Sequence, residues 1–163
     1  MILIINICKE RLHAFEFVKP VEDILKANNI QFTTKHYTDI KEEDLNTTDK
    51  IIICGTSLKD NKFLDDIEHF KFLHAFKKPV FGICGGAHII GLLLNHEPKK
   101  QKEIGLKEIT IEHEFLGVKG TIQVYHLHQL QVLPEVFNKD NFYSTLFHPE
   151  VRNKEMILNF CGL

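Results

Sequence analysis

The sequence predicts an α/β fold: an open, mostly parallel (mixed) sheet with helices on both faces, built as one domain over residues 1–163. Three observations predict it. Short β-branched runs recur along the chain, stretches of helical periodicity separate several of them, and two of the runs end at Gly55 and Cys84, where such a sheet opens its ligand crevice.

The first run, residues 2–7, is continuously apolar, as suits a strand buried on both faces. It lacks a basic leader and a small-residue cleavage site and is far shorter than a membrane span, so it reads as a strand and no membrane partner is expected. Pro20 then opens a segment that places Val21, Ile24 and Leu25 on one helical face and ends near Asn28 and Asn29. A second strand is expected at 31–37. After the acidic stretch Glu42, Glu43 and Asp44, a third is expected at 50–54, closed by Gly55. Between 61 and 76, Phe63, Ile67, Phe70 and Leu73 recur at spacings of three and four, which predicts an amphipathic helix that Pro79 stops from continuing. Residues 80–83 form a short apolar strand, and 87–94 an apolar helix start, with Gly85 and Gly86 between them. A charged loop is expected at 97–103, strands at 108–112 and 121–126 with turns at Gly117 and Gly120, and a last helix at 154–160.

Composition excludes several function classes. Hydrophobic residues at 44% and charged residues at 26% are too globular a mixture for a disordered segment. Lys and Arg total 20 against 22 for Asp and Glu, with no large block of one sign, so neither nucleic acid nor an anionic surface is an expected partner. Cys8, Cys54, Cys84 and Cys161 are scattered without zinc-type spacing and suit reduced thiols in a cytoplasmic protein.

The chemistry is concentrated in two short strings. Gly82-Ile83-Cys84-Gly85-Gly86 puts a thiol on a strand-to-helix turn among glycines, the arrangement of a nucleophile elbow; the helix behind it aims its N–H groups and positive dipole end at the sulfur. On the local pattern alone, a buried cysteine in a glycine-rich turn explains the string equally well. His148-Pro149-Glu150 supplies an imidazole that can take a thiol proton and a carboxylate that can orient it, two positions apart and so on one side of an extended chain. An HxE pair by itself is common and usually has no function.

Together the strings resemble a family. GICGGAHIIG resembles the GxCxGxQ elbow of class I glutamine amidotransferases, and FHPEV resembles their HPE element. Glu103-Ile104-Gly105 is similar to the family's E-[FYI]-G segment, His128-Gln129-Leu130 with Val132 to its HSLxV or HGDxV stretch, and residues 157–160 to its closing ILxNF helix. The resemblance covers essentially the whole chain and implies a flavodoxin-like fold. It also implies a glutaminase with the triad Cys84, His148 and Glu150, using oxyanion donors at Gly85 and the Gly55 turn, and a substrate wall that includes His88, His128, Gln129 and Leu130. Glutamine is the implied substrate and ammonia the product handed to a separate synthetase, with a two-subunit GMP synthetase as the first partner type. No metal or organic cofactor is implied.

The chain departs from the family pattern at the pocket. Where relatives read SGGPGS after the oxyanion strand, this chain has Cys54-Gly55-Thr56-Ser57, and His88 replaces the glutamine expected four residues after the nucleophile. These changes leave open a protein kept for binding or regulation, or a cysteine hydrolase acting on other γ-glutamyl amides. His126 and His128 share a strand face and imitate a metal pair, but the sequence offers no third ligand at a suitable spacing, and the family resemblance accounts for His128. The other histidines and the phenylalanines at helical spacing read as ordinary surface and core residues.

Overall fold

The computed structural model describes residues 1–163. In chain order the elements are β1 (Ile2–Asn6), α1 (Arg11–Phe17), α2 (Lys19–Ala27), β2 (Phe32–His36), α3 (Glu42–Asn46), β3 (Lys50–Ile53), α4 (Lys62–Asp65), a 3-10 segment (Ile67–His74), β4 (Val80–Ile83), α5 (Gly85–Leu93), β5 (Lys99–Phe115), β6 (Val118–Gln131), β7 (Val136–Lys139), β8 (Phe142–Thr145) and α6 (Glu155–Gly162).

Six strands form the main sheet in the order β2-β1-β3-β4-β8-β7. All its neighbours pair in parallel except β7 and β8, which form an antiparallel edge. The sheet is therefore mixed and mostly parallel, with the 2-1-3-4 start of flavodoxin-like order. Alternation along β1 divides the core. Ile2 and Ile4 join Val21, Leu25, Phe81 and Phe160 on the side covered by α1, α2 and α6, whereas Leu3 and Ile5 join Phe63, Phe70, Ile89 and Ile90 under α4, the 3-10 segment and α5. Side chains leaving a strand on opposite faces need a layer on each side, so helices cover both. No helix is long and apolar enough to cross a membrane.

Three expectations are corrected. The helix read over 61–76 is divided into α4 and a 3-10 segment at Asp66. Ile67, Phe70 and Leu73 repeat strictly every three residues, the period at which 3-10 side chains eclipse, so one buried face is kept after the α-helix ends. The charged loop at 97–103 is mostly strand. β5 begins at Lys99 and pairs with β6 in a separate two-stranded ribbon, because backbone pairing with a distant partner overrides the local charge pattern. Leu116 and Gly117, at φ 47° and 75°, make the two-residue turn, while Gly120, at φ 93°, lies inside β6 opposite Ile111 beside a register shift. Helix α1 and strands β7 and β8 lack a sequence pattern strong enough to announce them.

Candidate active site

β3 and β4 end side by side, and the loops that follow them face one crevice at the carboxyl edge of the sheet. Cys84 sits between β4 and α5 with φ 49° and ψ −97°, a region that non-glycine residues seldom adopt. Neighbours fix this conformation. The Cys84 N–H donates to the Thr145 carbonyl of β8 at 2.8 Å, and its carbonyl accepts from the His88 N–H at 3.1 Å. α5 can approach the sheet only because its first turn is bare: a Cβ on Gly86 would stand 2.4 Å from the Ile53 carbonyl oxygen. The thiol is 4% exposed as a residue and donates to the Leu127 carbonyl of β6 at 3.5 Å.

His148 comes from the loop after β8. Its N–H donates to the Tyr125 carbonyl at 2.9 Å, and its carbonyl accepts from Val151 at 3.2 Å, closing a turn through Pro149. His148 Nδ1 lies 2.7 Å from Glu150 Oε1, and both side chains are 1% exposed. The pair thus meets around a tight turn and not along an extended chain; Pro149 fixes one backbone angle, and the turn bond brings the two side chains together. Gly55 lets the imidazole in: a Cβ there would lie 2.6 Å from His148 Cε1 and 3.5 Å from Cys84 Cβ. Phe17 of α1 packs against the ring with centroids 5.6 Å apart.

The electrostatics of the pair follow from these contacts. Burial alone would push the His148 imidazole down, but the Glu150 carboxylate and the Cys84 sulfur outweigh burial and hold it well above the ordinary range. The ring therefore favours its charged form. Nδ1 is committed to Glu150, while Nε2 has no hydrogen-bond partner and is the nitrogen left for exchange with a reacting group. A thiol, an imidazole and a carboxylate so ordered can run nucleophilic acyl chemistry.

The crevice next to Cys84 is lined by Thr56 and Ser57 from the loop after β3, by Gly85 and His88 from α5, and by residues 127–130 of β6. The structure thus brings Cys84, Gly85, His88, His128, Gln129 and Leu130 to one crevice. Gly55 stands behind it, against the His148 ring. His88 Nε2 donates to the Leu130 carbonyl at 2.9 Å. Burial drives the His88 imidazole down to about 4, with the carbonyl bond opposing and His128 and His148 adding to the fall, so the ring is neutral and ties α5 to the β6 wall. Only about 20 Å³ of free volume separates the walls, close to the room needed for one water.

Several contributors leave no mark in the sequence pattern. Leu127, Tyr125 and Thr145 act through backbone carbonyls, to which side-chain identity is irrelevant. Asp60 accepts from Thr56 Oγ1 at 2.8 Å and from the Lys9 N–H at 2.7 Å, joining the loops after β3 and β1. An aspartate in a polar loop carries no signal that could have singled it out. The expectation that His126 and His128 have no third ligand also fails. Strand pairing places Glu103 of β5 opposite His128, and ligand atoms of Glu103, His126 and His128 lie within 4.8 Å of one another. A spacing rule along one strand cannot see a ligand on the next.

Known proteins resemble this chain in sequence and in fold. The family model for glutamine amidotransferase class-I matches residues 15–140, which include Cys84 and end before His148. Imidazole glycerol phosphate synthase subunit HisH 2 of Campylobacter jejuni is 30% identical over 149 residues, covering 69% of this chain and 75% of the relative. A protein assigned as cobyric acid synthase in Methanosarcina acetivorans is 38% identical over 85 residues, covering 50% of this chain but only 16% of that much longer relative. Among solved structures, a protein from Thermoplasma acidophilum assigned as one of the subunits of GMP synthase superposes with a TM-score of 0.83 at 20% identity, covering 99% of this chain and 92% of its own. A glutamine amidotransferase from Thermotoga maritima gives 0.66 at 17% identity, covering 96% and 78%. These two share the fold. The family match over most of the chain, with an elbow cysteine at its centre, shows that this protein belongs to the class I glutamine amidotransferases.

Proposed function

We propose that the chain is a cytoplasmic glutaminase that hydrolyses glutamine through a thioester on Cys84 and passes ammonia to a separate synthetase. The observation that carries this reading is the buried His148–Glu150 pair at 2.7 Å, packed with Cys84 around Gly55 at the end of a strained elbow. Cys84 Sγ, deprotonated beside the charged His148 ring, attacks the side-chain amide carbon, and His148 gives its Nε2 proton to the departing nitrogen, so that ammonia leaves, a γ-glutamyl thioester remains and the imidazole is left neutral. Water, deprotonated by His148, then cleaves the thioester to glutamate. Glu150 orients the ring, and the N–H of Gly85 with a donor from the Gly55 turn receives the charge on the tetrahedral oxygen.

About 20 Å³ between the walls is far below the roughly 300–1,000 Å³ of a typical ligand pocket, so the β6 wall and the loop after β3 must part for glutamine to enter. A synthetase docked at the crevice mouth is the natural agent of that opening. The family resemblance suggests a GMP synthetase as the first partner to try, before those of the anthranilate type. Ammonia release from glutamine, with and without candidate synthetases, tests the proposal: C84A should abolish it, and turnover unaffected by C84A would overturn the assignment of the nucleophile.

A second reading rests on Thr56, Ser57 and the commitment of His88 to Leu130, which leave the glutamine-recognising wall altered. It makes the chain a hydrolase of other γ-glutamyl amides, or a binding protein without turnover. Labelling of Cys84 by an electrophilic glutamine analogue favours the first reading. Failure to label, together with hydrolysis of γ-glutamyl peptides, favours the hydrolase, and absence of both favours the binding protein.

A further inference from the structure

Behind the crevice wall, and sharing His128 with it, lies a cluster of histidines and carboxylates that takes no part in the proposed acyl chemistry. Glu103 of β5 pairs across the ribbon with His128 of β6, and His126, two residues earlier, projects from the same face. The two histidine residues are 1% and 2% exposed. Glu103 Oε2 lies 3.6 Å from His126 Nε2 and 3.6 Å from His128 Nε2. Glu135, just past β6, brings Oε2 to 2.8 Å from His126 Nε2.

The proton inventory of this cluster does not close. The neighbour of His128 Nδ1 is the Gln101 carbonyl at 2.9 Å, an acceptor only, so Nδ1 carries the hydrogen. In a neutral ring Nε2 is then a bare lone pair, and it faces Glu103 Oε2, a second lone pair. Neither atom has a hydrogen-bond partner, and both are buried. Two acceptors held face to face away from water call for a cation between them.

The spacing suits a metal. Four ligands about 2.0–2.1 Å from a tetrahedral ion stand about 3.3–3.4 Å apart, close to the two separations of 3.6 Å. The donor set is nitrogen and carboxylate oxygen, without the thiolate a soft ion prefers or the six or more oxygens calcium requires. The Gln101 carbonyl already orients His128 as an outer-shell acceptor orients a ligating histidine. Lys107 binds Glu103 Oε1 at 2.6 Å, leaving Oε2 to the cluster. His126 would move its hydrogen to Nδ1, which has no partner now, to free Nε2 for the ion.

We infer that Glu103, His126 and His128, with Glu135 as fourth ligand, form a binding site for a borderline divalent transition metal ion such as zinc. Two carboxylates balance the charge of the ion. Bound there, it ties β5 to β6 and to the segment after β6, and it stiffens the stretch that supplies Leu127 and Leu130 to the crevice.

The test is titration of the full-length reduced protein with zinc against a chromophoric chelator, repeated with cobalt(II) for its visible spectrum. One ion per chain is expected, with tetrahedral cobalt bands and no sulfur-to-metal charge transfer. E103Q and H126N should each weaken binding by at least about 100-fold and abolish the zinc-dependent rise in Tm, with far-UV circular dichroism verifying that they fold. E103Q keeps the side-chain shape and serves alone if H126N does not fold. Absence of stoichiometric binding, binding unaffected by both substitutions, a thiolate charge-transfer band, or preference for calcium or magnesium would each overturn the site. The readout is metal and not ammonia, so it is independent of the glutaminase proposal.

Discussion

His148 with Glu150, and His126 and His128 with Glu103 and Glu135, bring the same side-chain types together by opposite routes. The first pair is local, two residues apart in a proline turn, and one carboxylate faces one imidazole at hydrogen-bond distance. Its imidazole is held charged by that carboxylate and the nearby sulfur. In the second group strand pairing brings Glu103, more than twenty residues away in the sequence, up to His126 and His128, and two imidazoles face one carboxylate oxygen. Burial and the neighbouring ring hold His128 below its ordinary range. The same chemistry suits a proton in one place and a metal ion in the other, and what differs is how many lone pairs converge and whether a hydrogen is available for each.

Substitutions at the first pair should have the largest effects. H148N is expected to lower kcat for glutamine hydrolysis by about 10⁴-fold and E150Q by about 10²–10⁴-fold, with the zinc titration unchanged. Loss of zinc binding in E150Q would show the two groups to be coupled. G55A should come next: its Cβ would meet the His148 ring at 2.6 Å and displace the imidazole from Cys84, for a fall of about 10²-fold in kcat. G86A acts on the scaffold, because its Cβ would press on the Ile53 carbonyl; a loss of about 1–3 kcal/mol in urea unfolding is expected.

The smallest effects concern pH, and there the signs oppose. The depressed His88 ring stays neutral in the folded protein down to about 4, whereas in the unfolded chain it takes a proton below about 6.5. Stability is therefore lost as pH falls through that interval, and H88Q should lose less between pH 7 and 4.5 in urea midpoints. His148, raised in the folded state, contributes its stabilisation below about 6.5 and loses it as pH rises through the folded value. E150Q should lower the His148 titration point followed by NMR; an unchanged value would remove Glu150 as the cause.

Much of the frame is legible in the sequence because it is local. The β-branched runs of β1, β3 and β4 identify a buried parallel sheet, and the glycines around Cys84 mark a turn that larger residues could not occupy. The 61–76 segment shows where periodicity blurs. Spacings of three and four predict one helix, and only the packing of Phe70 and Leu73 reveals a 3-10 segment. The charged start of β5 resembles a loop because its strand character comes from its partner. Around the site, the strings containing Cys84 and His148 can be read directly, but the carbonyls of Leu127, Tyr125 and Thr145 cannot.

By itself the sequence determined the sheet class and the glycine-flanked turn at Cys84, since each depends on residues adjacent in the chain and on backbone sterics that any context preserves; it paired His148 with Glu150 but on an extended chain, and the turn that joins them belongs to the structure. Tertiary structure alone decided that Gly55 admits the His148 ring beside Cys84, that His88 serves the crevice wall through Leu130, and that Glu103 stands before two histidines. The physical reason is range: hydrogen bonds and metal ligation act over a few ångströms between groups that strand pairing brings together, and linear spacing carries no record of that pairing.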